Sequence, residues 1–445
     1  MNLEVQGPGE QPLPEDGARA IEYPEPVIDV ELVASVPGEI GPIAVTERVE
    51  VIDIVRGLAL FGILAANMRG FAGPAKAYID PASFWPSLPD RIAQAFIDTF
   101  IQGKFVTIFS FLFGVGFAVQ LDRGAAKGVK IGRLYARRLA VLVVFGIVHG
   151  MMIWFGDILL AYALTGFLLL LFRRRKDTTL ISWAIVGQLV PMILLSIAWL
   201  YSQLSAGLPK GLGSPEPEEL ARQVELFARG SWSAIHDQRT ADLVSLNWGM
   251  FPAYFLSLLA IFIAGVLAWR RSFFRPAPET IHLYTRWMWI GISVGLSGNV
   301  AATTIRWFWK APHFPPTAAT FLSQAILTVA VPLLSLGYVC AVIVLCQSDV
   351  WRRRLAPFAA VGRTALSNYL MQSIVCTILF YSYGLGLFGT MGPALLLIPT
   401  ILVYATQPVV SVWWLKRFRF GPAEWLWRSL TYRHAQAMRI EGAGR

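Results

Sequence analysis

Three strongly polar residues interrupt one long apolar run, VIDIVRGLALFGILAANM, from Val51 to Met68: Asp53, Arg56 and Asn67. On a helix that turns about 100° per residue they fall within one narrow arc, with Asn67 roughly 21 Å beyond Asp53. Asp53 and Arg56, spaced i, i+3, can pair as ions. Gly57 beside them lets another backbone, or a ligand, approach. Such groups are costly against lipid, so the seam is expected to face protein or a cavity, with Leu60 and Leu64 filling the arc. The plainer alternative is that Asp53 and Arg56 anchor a helix end and Asn67 makes an interhelical hydrogen bond.

Two further groupings could do chemistry. Between Arg138 and Arg173 the only charge-bearing side chains are His149 and Asp157. A carboxylate that orients and charges an imidazole prepares it for proton transfer. A lone buried histidine serves equally well as a satisfied structural residue. In VGRTALSNYLMQS, Thr364, Asn368 and Gln372 recur at i, i+4 and i+8 on one helix face, with Arg363, Tyr369 and Ser373 nearby. That row either lines a wet interior path or holds two helices together. Cys340, Cys346 and Cys376 lie in apolar stretches without metal-ligand spacing, so neither a metal site nor a disulfide framework is expected.

The elements that must carry these residues are membrane helices. Of 445 residues 55% are hydrophobic and only 15% charged, where a soluble domain has about a quarter charged. Apolar runs of about 20 residues, each able to cross a bilayer core of about 30 Å, recur along the chain. The fold class is all-α: a polytopic transmembrane helical bundle over 48–431. About ten spans have cores near 52–72, 96–120, 139–155, 157–172, 179–202, 250–269, 283–303, 319–346, 365–385 and 391–414. GVGF at Gly114–Phe117 lacks a strand–turn–helix context and reads as close helix packing, not a nucleotide loop.

Charge then orders the bundle. Residues 1–47 hold ten acids and one base, a net −9, and read as a disordered acidic tail. The remainder carries +19. Basic clusters follow every even-numbered span: Arg123 to Arg138, including Arg133 and Arg137, then Arg173 to Lys176, Arg270 to Arg275, Arg352 to Arg354, and Lys416 to Arg419. Positive charge is retained on the cytosolic side, so both termini are expected to be cytosolic, with 432–445 a cytosolic C-terminal tail. The 34 residues between Arg138 and Arg173 would reach about 51 Å as one helix. Both ends are basic, so this stretch should be a tight hairpin turning at WFGD, with Asp157 capping the descending helix. Residues 203–249 form one long outer segment whose SPEPEELARQVELFARG, opened by Ser214, reads as an amphipathic helix, either a lid or a passive surface.

RVEVIDIVRGLALFGILAANM, GKFVTIFSFLFGVGF, HGMMIWFGDILLAYALTGFLL, APFAAVGRTALSNYLMQS and FGPAEWLWRSLTY together resemble the YeiB-type family, a domain of unknown function numbered 418. The resemblance covers nearly everything after residue 47. The Asp-x-x-Arg-Gly start also resembles two more distant families, the acyltransferase-3 type and the heparan-glucosaminide acetyltransferase type. In these a polar residue, His or Asn, follows fourteen positions after the Asp; here it is Asn67. Those relatives pass an acyl group from cytosolic acyl-CoA to an acceptor across the membrane. This chain has no His at that position, so the base would come from elsewhere, and His149 is the histidine placed inside the bundle.

The resemblance therefore implies an acyl-CoA-dependent O- or N-acyltransferase of the plasma (bacterial inner) membrane. His149 is the expected base, Asp157 its orienter and Asn67 the group polarising the carbonyl. Asp53, Arg56, Gly57, Arg133 and Arg137 would hold the CoA, whose phosphates need bases. Arg363, Thr364, Asn368, Tyr369 and Gln372 would line the acceptor or pantetheine path. Expected partners are membrane lipids, a glycan, lipid or small-metabolite acceptor, and a second copy of the chain in a homodimer. No nucleic acid is expected, because KRFRFGPAEWLWRSLTYRH interleaves bases and aromatics as an interfacial lipid anchor does. A transporter or export factor for a small molecule or lipid would use the same polar seams, and a scaffold would use the acidic tail.

Overall fold

The computed structural model of the chain describes residues 49–78, 81–128, 131–204, 216–249, 251–309 and 317–440. The acidic tail, Ser214 and Lys130 lie outside them. The described residues are helical apart from turns and one isolated bridge, Phe418 to Arg439, which folds the chain's end back along 417–419. Among the described residues seven helices are long and apolar enough to cross a membrane, and three shorter apolar helices, Leu159–Phe172, Tyr254–Arg270 and Ala365–Phe380, occupy the remaining expected positions.

The chain-order helices are α1 (Glu50–Ala72), α2 (Pro81–Phe84), α3 (Leu88–Phe100), α4 (Lys104–Ala126), α5 (Ile131–Val148), α6 (Leu159–Leu169), α7 (Asp177–Leu204), α8 (Pro217–Arg229), α9 (Trp232–Gly249), α10 (Phe251–Arg270), α11 (Ile281–Trp309), α12 (Ala318–Leu345), α13 (Asp349–Arg363), α14 (Ala365–Phe380), α15 (Pro393–Leu415) and α16 (Pro422–Tyr432). The second expected span is corrected. It does not run unbroken over 96–120, because Gly103, at φ 83°, breaks the chain between α3 and α4. Glycine enters that left-handed region without the Cβ penalty other residues meet. α4 alone, at 23 residues, spans about 34 Å. α3 is left as a separate helix that shows Leu88, Ile92 and Phe96 to the outside.

α1 is the central helix, packed by α4, α12, α13, α14 and α15. Its closest neighbour is α13. A Cβ on Gly57 would collide with the Phe358 carbonyl, and one on Gly362 with that of Asp53. The two glycines thus set the crossing distance, as small residues do between membrane helices. Tyr404 of α15 donates to the Gly57 carbonyl at 2.7 Å. At the periphery α7 shows Ile185, Leu189, Ile193, Ile197 and Leu200 outward, a face suited to lipid.

The end of the bundle where α1 begins gathers the bases. Arg270 bonds Asp177 at 2.8 Å, Arg137 donates to the Thr431 carbonyl at 3.0 Å, and Arg138 stacks over Trp427 at 3.7 Å. Glu424 of α16 is buried there and accepts from the Leu366 and Ser367 amides at 2.6 and 3.1 Å, capping α14. Burial holds the Glu424 carboxyl above its ordinary 4.5, against the hydrogen bonds from Ser367 and Leu366 that pull it down.

Two outcomes follow. Gly57→Ala is expected to lower the unfolding temperature of the detergent-solubilised protein, at a cost of about 1–3 kcal/mol. Gly116→Ala, where a Cβ meets open space, should leave it unchanged. A carboxyl raised on folding contributes stability that is complete below its unfolded value and lost as pH climbs through the folded one. The stability of the parent protein relative to Glu424→Gln should therefore fall as pH is raised above the ordinary carboxyl value of 4.5. A difference that grows with pH contradicts this.

Candidate active site

The hairpin turn builds the site. α5 ends in one wide π-helical turn, His149–Ile153, closed by the Trp154 amide on the His149 carbonyl at 2.8 Å. That extra residue per turn marks many functional positions in membrane and soluble helices alike. Trp154 stacks on Phe71 and donates to the Gly70 carbonyl at 3.1 Å, which pins the turn to the far end of α1. Asp157 then caps α6 as expected, its Oδ2 accepting from the Leu160 amide at 2.7 Å. Its Oδ1 lies 2.9 Å from His149 Nδ1. Both side chains are buried, and the Tyr369 ring packs against the imidazole at 5.0 Å. His149 Nε2 has no hydrogen-bond partner among the described residues. An imidazole held by one nitrogen, with the other left open, is the arrangement of a general base and its orienter.

A cavity of about 280 Å³ lies beside this pair. Asn67 and Asp157 both line it, from α1 and from the hairpin turn. Gln102, Gly103, Leu243 and Tyr254 supply other parts of its wall. The Asn67 carboxamide makes no hydrogen bond among the described residues, so its donor and acceptor both remain available to a ligand. His149 itself lies behind the wall rather than on it.

The other expected site residues sit elsewhere. Asp53 and Arg56 do form their pair, at 2.7 Å, but at the opposite end of α1. Leu60 and Leu64, fully buried, separate them from Asn67. Gly57 admits the α13 backbone, not a cavity. Arg133 is exposed and Arg137 is engaged by the Thr431 carbonyl. The α14 row does not line the Asn67 cavity. Asn368 donates to Thr364 Oγ1 and Ser411 Oγ at 2.8 and 3.0 Å, and Gln372 to Gln407 Oε1 at 3.0 Å. These contacts join α14 to α15, which is the helix-pairing alternative. Arg363 lies at the Asp53 end, where Asp53 acts on its charge.

Sequence reasoning passed over Arg239. It is fully buried in α9 and donates from Nε to the Met151 carbonyl at 2.8 Å and from Nη1 to the Ile153 carbonyl at 2.9 Å. His236 lies 3.1 Å from the same Met151 oxygen. The long segment after α7 therefore braces the turn that carries His149, and no spacing within that segment signals it. The partner carbonyls lie more than eighty residues earlier.

Residues 268–434 match the family model described as "Protein of unknown function (DUF418)". The chain is 35% identical over 406 residues to the uncharacterised protein YxaH of Bacillus subtilis, covering 88% of this chain and 96% of that protein. It is 32% identical over 392 residues to the uncharacterised protein YeiB of Escherichia coli, covering 87% and 97%. A third relative, the uncharacterised 39.9 kDa protein in the amylase 3' region of Bacillus acidopullulyticus, is 28% identical over 393 residues.

Truncating the brace tests this geometry. Arg239→Ala leaves the Ile153 carbonyl unmet and the Met151 carbonyl with His236 alone, at a cost of about 1–3 kcal/mol. The Trp154 amide is then expected to exchange with deuterium about tenfold faster or more, while amides in the α1–α13 crossing stay protected. Unchanged exchange at Trp154 contradicts the bracing role.

Proposed function

The chain belongs to the YeiB family of membrane proteins, matched by the DUF418 model, and from that premise we propose that it is an acyl-CoA-dependent acyltransferase serving an outer-side or membrane-embedded acceptor. One observation carries the reading: Asn67 and Asp157 line a single cavity, and Asp157 holds His149 with its second nitrogen unpartnered. In the reaction the acceptor hydroxyl or amine gives its proton to His149 Nε2 and attacks the thioester carbonyl carbon. Asn67 Nδ2 donates to the developing oxyanion. The carbon–sulfur bond breaks, and the imidazolium returns the proton to the departing thiolate. Asp157 stabilises the charged imidazole throughout. Leu243 lines the cavity and packs beside Gly150, the residue after His149.

The cavity is small for a drug-sized ligand, whose sites span about 300–1,000 Å³. It suits an acceptor and a thioester, not a whole CoA. The anionic part of CoA would stay at the basic end, near Arg56, Arg133 and Arg137. Arg56 lies about 16 Å from Asn67 along the α1 axis. Retention of positive charge inside would turn that end to the cytosol of a bacterial inner membrane.

A second reading, a transporter or export factor, draws on one observation: Leu60 and Leu64 are buried between the two polar ends, so reaching the cavity from Arg56 requires a conformational change. Substrate movement into vesicles without acyl-CoA would favour it.

The protein reconstituted in lipid is expected to bind acyl-CoA and transfer its acyl group. His149→Ala should lower transfer about 10²–10⁴-fold. Asn67→Ala should lower it about 10²-fold, with acyl-CoA binding retained. Absence of acyl-CoA binding, or transfer undiminished in His149→Ala, contradicts the proposal.

A further inference from the structure

α13 has two unlike halves. Its second half packs on α1: Ala359 joins the cluster of Ile54 and Cys346, the Phe358 carbonyl lies against Gly57, and Gly362 meets the Asp53 carbonyl. Its first half stands outside. Residues 347–354 are all exposed, with Val350 at 59% and Trp351 at 43%. Arg352, Arg353 and Arg354 follow that apolar pair directly. Arg352 pairs with Asp349 at 2.8 Å, and Arg354 lies over the Trp351 ring at 5.3 Å. With Asp349 counted, this half carries a net +2. Pro357 marks the division, because it offers no amide to the Arg353 carbonyl one turn earlier.

An exposed Val–Trp pair beside three guanidinium groups calls for a partner with two properties. It must bring negative charge to the arginines and hydrocarbon to Val350 and Trp351. α13 follows α12 and packs on α1, and both of those helices are long and apolar enough to cross a bilayer. The exposed half therefore sits where a bilayer's headgroups begin. Tryptophan concentrates at that level, and arginine pairs bidentately with phosphate there. A second copy of the chain fits poorly, since an isologous contact would set the same arginines against one another.

We propose that the first half of α13 is a docking surface for anionic lipid. The phosphate headgroup is held by Arg352, Arg353 and Arg354, while Val350 and Trp351 seat among the first acyl carbons. This binding does not depend on acyl transfer and holds whichever reaction the chamber serves. Its structural consequence lies at α1. The second half of α13 carries Gly362 against the Asp53 carbonyl, so a headgroup held at the first half anchors the helix beside the Asp53–Arg56 pair. Attraction to an anionic leaflet grows with each base near the surface and is screened by salt.

The test follows deuterium exchange of the full chain in lipid nanodiscs, phosphatidylcholine alone against a mixture with phosphatidylglycerol. The Arg353, Arg354 and Leu355 amides are expected to exchange about tenfold more slowly in the mixture. The difference should shrink as salt is raised. Arg352→Gln, Arg353→Gln and Arg354→Gln should each weaken the apparent affinity for phosphatidylglycerol about fivefold, and the triple replacement should abolish the difference. The Ala360 to Gly362 amides, in the half packed on α1, report whether each variant keeps its fold. Equal exchange in the two lipids overturns the proposal, as does a difference that persists in the folded triple variant. Protection already present in phosphatidylcholine and relieved by salt assigns the arginines to the acidic residues 1–47 and also overturns it. Protection that needs two copies per disc, whatever the lipid, assigns the surface to a second chain and does the same.

Discussion

The Asp157 carboxylate makes two contacts on which the site depends. One oxygen caps α6 and fixes where the hairpin turns. The other holds the His149 imidazole. A buried carboxylate in an apolar bundle is tolerated only when both oxygens are engaged, so the local structure and the chemistry constrain each other. Moving the turn by one residue would lose the cap and the base together. The π-helical turn before it supplies the extra residue that swings His149 towards Asp157, and Arg239 of α9 meets the carbonyls which that wide turn leaves open.

α1 joins this site to the rest of the bundle. Its far end supplies Asn67 to the cavity, its middle is sealed by Leu60 and Leu64, and its first turns carry the Asp53–Arg56 pair against α13. The glycine contact between α1 and α13 leaves little freedom to shift one helix past the other. The polar ends are therefore two separate places joined by a rigid rod. Any account of function has to say how something passes from one to the other, or why nothing needs to.

Much of the architecture was legible in the residues. Apolar length and the basic clusters gave the helices and the hairpin, because desolvation and chain length leave few alternatives between Arg138 and Arg173. The Asp157 cap and its closeness to His149 followed from the turn. The Asp53–Arg56 pair followed from helical periodicity. Periodicity placed Asn368 and Gln372 on one face but could not say what that face meets, and it meets Ser411 and Gln407 of α15. The break at Gly103 was hidden because the apolar pattern resumes on either side of Gln102 and Lys104, so hydropathy alone reads 96–120 as one span. Arg239 was missed because its partners are backbone carbonyls distant in sequence, and backbone partners carry no residue-type signal.

The central claim is that the chamber between Asn67 and Asp157 is where a ligand's reacting group sits. A density map of the lipid-embedded protein with a non-hydrolysable acyl-CoA thioether analogue addresses it most directly. The account expects the analogue's sulfur and first acyl carbons within contact of Asn67, with the nucleotide at the basic end near Arg56. Density for the analogue confined to the lipid-facing surface, with the Asn67–Asp157 chamber unentered, would contradict it.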